Sequence, residues 1–285
     1  MPEHDVRLRV LEEELSRQIE QLPPSRIREA MGYSLLAGGK RLRPMLLFAA
    51  MDAYGQDWHA ALPVACAIEM MHTYSLIHDD MPEMDNDTLR RGRPCCHVQF
   101  GDTVALLAGD ALQTLSFQNA ADTPDPAKAG KLCALLARKA GAAGMCLGQD
   151  LDLAAEDNGH VSLEQLEEIE QYKTGCLFEL PLAAGAILCD APQDIPTWDS
   201  IGRTLGILFQ IQDDLLERES SEEQMGKSLS DAGNNKATAL SLFGLEEGKR
   251  RVAAGFEDIE GQLASMQIDS APVRALFDTM KNRTH

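Results

Sequence analysis

Two groups of acidic residues, Asp79-Asp80-Met81-Pro82-Glu83-Met84-Asp85 and Asp213-Asp214-Leu215-Leu216-Glu217, each close an apolar, helix-like run. Carboxylates crowded in this way repel one another. At an effective dielectric near 20, one like-charge pair about 4 Å apart costs about 4 kcal/mol, so a cation is expected among them. The donors are all oxygen, with no Cys or His in the group, which favours the hard ion Mg²⁺ over Zn²⁺. Mg²⁺ takes one or two carboxylates and completes its shell with water and phosphate. Two such groups facing one cavity therefore point to a diphosphate substrate.

Spacing refines this reading. Asp213 and Glu217 are four apart and share a helix face, with Asp214 turned about 100° away. Asp79 and Asp85 would diverge on a straight helix, but Pro82 breaks the hydrogen-bond ladder and lets the chain bend so that both reach the same ions. Three cationic stretches answer the acids: Gly38-Gly39-Lys40-Arg41-Leu42-Arg43-Pro44; Arg90-Arg91-Gly92-Arg93-Pro94; and Lys173-Thr174 with Lys227 and Lys236. In the first, glycines let backbone approach a ligand, and the basic residues sit at a helix start whose amides and dipole favour anions. In the second, fork-shaped guanidinium donors follow closely on Asp85. His72 stands two turns before Asp79 on the same helix face, about 10 Å along the axis, and reads as a diphosphate or metal-shell contact. His78 and His97 read as local hydrogen-bonding residues.

The elements that must position these residues are helical. The chain has 285 residues, of which 44% are hydrophobic, and its apolar residues recur at helical spacing with few β-branched runs, so the fold class is all-α. Helices are expected over Val6–Ile19, 25–36, 44–54, from Pro63 to the first acidic group, 102–121, 126–146, 163–189, 197–217, 236–247 and two shorter C-terminal segments. Linkers are short and no repeat is visible, so residues 1–285 read as a single domain. No apolar stretch approaches 18 residues free of charge, and no basic-then-apolar leader opens the chain. A soluble, unsecreted protein without membrane insertion is expected. The seven cysteines are irregularly spaced in apolar helical context, as reduced packing residues are, which fits a cytoplasmic location. The net charge of −19 argues against nucleic acid as a partner. Acidic stretches such as 164–170 read as solvated surface.

Taken in order, Gly-Gly-Lys-Arg-Leu-Arg-Pro at 38–44, the segment from Glu69 through Asp79-Asp80 and Asp85 to Arg90-Arg91-Gly92, Lys173-Thr174-Gly175, Phe209-Gln210-Ile211-Gln212-Asp213-Asp214 and Gly226-Lys227 resemble the trans-isoprenyl diphosphate synthases, and within them the bacterial farnesyl-forming branch. The resemblance runs from about residue 30 to 245. It implies a single large bundle of about ten helices around a deep central cavity, usually as a homodimer. It implies that isopentenyl diphosphate condenses with dimethylallyl or geranyl diphosphate by ionisation, condensation and elimination to give farnesyl diphosphate. Asp79, Asp85 and Asp213 would hold about three Mg²⁺, or alternatively Mn²⁺, on the allylic diphosphate. Arg90, Lys173 and Lys227 would bind its oxygens, with Lys236 also in the substrate site. Lys40, Arg43, His72 and Arg91 would bind the diphosphate of isopentenyl diphosphate, while Thr174 and Gln210 would flank the breaking carbon–oxygen bond.

In farnesyl-forming relatives an aromatic at the position of Tyr74 floors the cavity and limits product length, with Ser75 a secondary wall residue. Tyr74 lies about 7.5 Å down the helix from Asp79 and about 140° around it, so an ordinary core tyrosine stays an alternative. Several positions depart from the family pattern: Glu217 stands in place of Asp, Leu147-Gly148-Gln149 in place of Gly-Gly-Gln, and the stretch after Lys227 is one residue shorter. The rival readings are a synthase of geranyl or geranylgeranyl diphosphate, a class I terpene cyclase, and a weakly active or non-catalytic partner subunit.

Overall fold

A computed structural model describes residues 2–158, 161–224 and 239–282, and the described residues are all-α apart from one hairpin of two-residue strands. The helices are α1 (Pro2–Gln21), α2 (Arg26–Leu35), α3 (Leu42–Ala53), α4 (Leu62–Asp79), α5 (Cys96–Phe100), α6 (Asp102–Ala121), α7 (Pro126–Ala140), α8 (Met145–Asn158), α9 (Leu163–Glu170), α10 (Cys176–Leu188), α11 (Ile195–Gln224), α12 (Ala239–Phe243), α13 (Leu245–Ser265) and α14 (Ala271–Lys281). Backbone contacts divide the chain into two compact units, Met1–Ala137 with Ala184–Ala191, and Arg138–Ala183 with Pro192–His285.

The first unit is organised by α4. Pro63 occupies its first turn, where a missing N–H costs nothing, and every residue from Val64 to Met71 is buried. A helix apolar on all sides belongs in the middle of a bundle, and α4 packs on α6, α3, α2 and α1. Trp58–Asp79 has the length and apolarity to cross a membrane, but it is largely buried inside this unit and carries Glu69 in a buried ion pair. α2 begins where Ser25 accepts a hydrogen bond from the Arg28 amide at 3.1 Å, the usual service of an N-cap serine. The hairpin β1 (Leu89–Arg90) and β2 (Arg93–Pro94) turns through Arg91 and Gly92. Both turn residues have positive φ, as a two-residue loop of type I′ requires. Apolar periodicity gives no sign of so short a hairpin.

The second unit is built on α11, which packs on α13, α12, α9 and the segment between α9 and α10. Its core joins Val161, Leu166, Ile169, Ile211, Leu215 and Leu240, flanked by Leu151, Phe243 and Val252. Three helical expectations are corrected here. The 126–146 helix stops at Ala140 and turns through Gly141–Gly144, closed by the Gly144 amide on the Gly141 carbonyl at 2.9 Å. A separate α8 then follows, whose apolar spacing is diluted by Asp150, Asp152 and Asp157. The 163–189 helix is real but contains a π-turn at Gln171–Gly175. The helix expected through residue 247 breaks at Gly244, and α13 is a full 21-residue helix rather than a short one.

Candidate active site

In the first unit, α4 ends at Asp79 and the chain reverses at once. The Asp85 amide donates to the Asp79 carbonyl at 2.9 Å and the Asn86 amide to the Met81 carbonyl at 3.0 Å. The helix therefore stops before Pro82, and the turn places Asp85 beside Asp79, both half-buried. Asp80 faces the hairpin. It is buried and receives the Nε and NH2 groups of Arg90 at 2.7 and 2.6 Å, so the middle carboxylate of the group anchors the hairpin. Burial disfavours the charge on Arg90, but the bond to Asp80 and the fields of Asp80 and Asp79 outweigh it and raise its pKa.

The first basic stretch divides by function. Gly38 and Gly39 adopt φ of 78° and 131°, and Arg41 is itself left-handed at 46°. Only glycine adopts such angles freely, and Arg41 is held there by bonds to Glu12 (2.7 Å), Glu69 (2.6 Å) and the Leu35 carbonyl (2.6 Å). Arg41 is thus a buried strut and not a ligand-facing cation. Lys40 next to it is exposed, and Arg43 lies in the first turn of α3. Burial pushes the Arg43 guanidinium down to about 10, with Glu69 opposing and Arg91 adding to the fall. The Arg91 guanidinium bonds to the Gly38 carbonyl and covers Gly39, where a methyl group would sit 2.6 Å from it. His72 is held neutral, well below its ordinary 6.5, by burial and then by Arg43, Arg91, Arg90 and Arg41. Arg43, His72 and Arg91 thus share a basic cluster, an electrostatic environment that an anion would stabilise.

Tyr74 is buried, and its ring meets that of His78 edge-on at 5.7 Å, while Ser75 donates to the His72 carbonyl at 2.8 Å. His78 Nε2 lies 3.1 Å from the Leu106 carbonyl, a hydrogen-bonding role as expected, whereas His97 is buried with its Nδ1 unbonded, against the same expectation.

In the second unit, Lys173 and Thr174 lie in the π-turn, and Lys173 Nζ reaches Asp152 Oδ2 of α8 at 2.6 Å. Gln210, Asp213 and Asp214 follow on α11, all half-buried, and the Phe209 ring contacts Phe178 at 5.3 Å. Lys227 and Lys236 lie outside the described residues. Glu170 was hidden in an acidic run that reads as solvated surface. It is buried, and desolvation, then Asp214, Glu167 and Asp152, push its carboxyl up to about 8.

Among the described residues no three His, Cys, Asp or Glu side chains close a protein-only metal cage. That donor set, paired carboxylates without nitrogen or sulfur, fits Mg²⁺, which relies on water and substrate oxygens for the rest of its shell.

Residues 24–269 match the family described as polyprenyl synthetase. The farnesyl diphosphate synthase of Geobacillus stearothermophilus is 43% identical over 96% of this chain and 95% of its own length. A geranylgeranyl diphosphate synthase from Cyanophora paradoxa is 37% identical over 98% and 95%. Among solved structures, an FPP/GFPP synthase of Zymomonas mobilis superposes with a TM-score of 0.82 at 38% identity, covering 98% of this chain and 99% of that one.

Proposed function

This chain belongs to the polyprenyl synthetase family, and from that premise we propose that it condenses isopentenyl diphosphate with dimethylallyl and then geranyl diphosphate to give farnesyl diphosphate. The observation that supports the reading is the basic cluster of Arg43, His72 and Arg91 in the same unit as the Asp79–Asp85 turn: positive charge suited to an anion, and paired carboxylates suited to a hard cation. Residues 1–285 act as one synthase domain, which the continuous family match across both units supports.

Asp79, Asp85 and Asp213 would hold about three Mg²⁺. When bound, these ions neutralise the allylic diphosphate and make it a leaving group. Lys173, Arg90 and Lys227 bind the oxygens of that diphosphate, with Lys236 alongside. Thr174 and Gln210 present dipoles to the carbon that becomes cationic, and preorganised dipoles of this kind stabilise developing charge at no reorganisation cost. Lys40, Arg43 and Arg91 hold the diphosphate of isopentenyl diphosphate, and neutral His72 donates to it from the α4 face. The double bond attacks the cation, and the departing diphosphate takes the proton that is lost. Tyr74 floors the cavity and Ser75 lines it, which favours fifteen carbons. A longer product is the second reading, since several relatives bear geranylgeranyl-forming names. The enzyme acts in the cytoplasm as a homodimer, a state supported by exposed Val98, Leu106 and Leu107 on α5 and α6.

The test is to incubate the purified chain with both five-carbon diphosphates and Mg²⁺, remove phosphate enzymatically and size the alcohols. Farnesol as the main product is expected. Geranylgeraniol would support the second reading, and no prenyl alcohol would overturn both.

A further inference from the structure

We propose that Gly148 and Asp152 of α8 and Gly206 of α11 are positioning residues that hold the Lys173–Thr174 π-turn in register. The inference deepens the proposed function and rests on it, because it matters only if Lys173 and Thr174 bind the allylic diphosphate and face the cation.

A π-turn is an unfavourable interruption of an α-helix that persists where its surroundings enforce it, frequently at functional sites. Here the enforcement comes from two sides. A methyl group on Gly148 would overlap the Lys173 amide nitrogen and sit 2.5 Å from its Cα. A methyl group on Gly206 would lie 2.5 Å from the Gly175 Cα and 2.9 Å from its nitrogen. Both contacts are backbone against backbone, so no rotamer change relieves them. One turn after Gly148, on the same face of α8, Asp152 grips the Lys173 ammonium at 2.6 Å. α8 therefore fixes Lys173 at both its backbone and its charged end, while α11 closes the opposite flank at Gly175. This also accounts for the departure Leu147-Gly148-Gln149: the glycine that a side chain cannot replace is retained, and its neighbour is free to vary.

The experiment compares Gly148→Ala, Gly206→Ala and Asp152→Asn with Gly202→Ala. The last is a packing control on the same helix, whose added methyl group would lie 2.5 Å from the Glu179 Cα and away from the π-turn. Misplacing a catalytic group by about 1 Å costs about a hundredfold, so kcat/KM for the allylic diphosphate should fall by about that factor in the two π-turn glycine variants, and by about tenfold in Asp152→Asn. KM for isopentenyl diphosphate, whose contacts lie in the first unit, should stay unchanged in all of them. Gly202→Ala should lower the melting temperature and leave the allylic KM alone. If Gly148→Ala and Gly206→Ala do not fold, Asp152→Asn, which adds no atoms, decides. Unchanged allylic kinetics in Asp152→Asn, or equal losses for both substrates in every glycine variant including the control, overturns the inference. Lys173→Ala separates the two readings: full activity there sinks the proposed function, whereas loss there with normal clamp variants sinks only the clamp.

Discussion

Replacing Arg41 by methionine should destabilise the first unit far more than removal of a loop cation ordinarily does. The Arg41 side chain is 1% exposed and that of Glu69 is 3% exposed, with 2.6 Å between them. Taking one partner from a buried pair strands the other charge in a medium that cannot solvate it, at a cost of about 3–5 kcal/mol. Loss of the bond to the Leu35 carbonyl adds about 1 kcal/mol. The sum corresponds to a fall in melting temperature on the order of 10 °C. Arg41→Lys keeps the charge but cannot engage Glu12, Glu69 and Leu35 together, so it should fall between. Arg41→Met combined with Glu69→Met should recover most of the loss, because the pair coupled in the parent is absent from both sides. Thermal unfolding followed by circular dichroism measures all three. A single variant within about 1 kcal/mol of the parent would refute the buried-strut assignment. So would a double variant less stable than Arg41→Met alone. In the folded fraction, KM for isopentenyl diphosphate should rise, because Arg41 shapes the loop that presents Lys40 and Arg43.

Three further outcomes are expected. Glu170, raised to about 8 from an ordinary 4.5, keeps its proton in the native state where the unfolded chain loses it, so the stability this group contributes is full below about 4.5 and is lost as pH rises through about 8. Glu170→Gln should therefore gain stability on the order of a few kcal/mol over the parent in metal-free buffer at pH 8 and almost none at pH 4.5, and equal urea midpoints at both pH values would contradict this. Tyr74→Ala should shift products beyond fifteen carbons by chromatography, at a folding cost of about 3 kcal/mol for the emptied core volume, and an unchanged product spectrum would remove the floor role. Asp213→Asn should cut kcat by at least about a hundredfold with partial relief at high Mg²⁺, and activity that survives chelation by EDTA would exclude the metal role.

The helices were legible wherever the chain carries its own punctuation. Ser25 caps α2, Pro63 opens α4 and the glycines at 38 and 39 follow the end of α2, all within a few residues of the signal. What the sequence concealed depends on contacts between distant segments. Arg41 looks like its neighbours Lys40 and Arg43 until Glu12 and Glu69 are seen to face it. Glu170 sits in a run of glutamates and differs only in the helices that cover it. α8 escapes the apolar pattern because its stripe is interrupted by acids, and the π-turn leaves no mark on a periodicity of 3.6, since its cause lies in Gly148 and Gly206 on other helices. The acidic groups were readable because repulsion among adjacent carboxylates is a local fact. That Asp80 serves the hairpin instead of the acidic group is invisible in the sequence, because it depends on the bond from Arg90.

The most direct test of the central claim is anomalous diffraction from crystals soaked with Mn²⁺, a thiolo analogue of geranyl diphosphate and isopentenyl diphosphate. The expected map places metal peaks between the diphosphate oxygens and the carboxylates of Asp79, Asp85 and Asp213, with the second diphosphate against Arg43, His72 and Arg91. Metal peaks elsewhere, with those three aspartates contacting only solvent, would contradict the account.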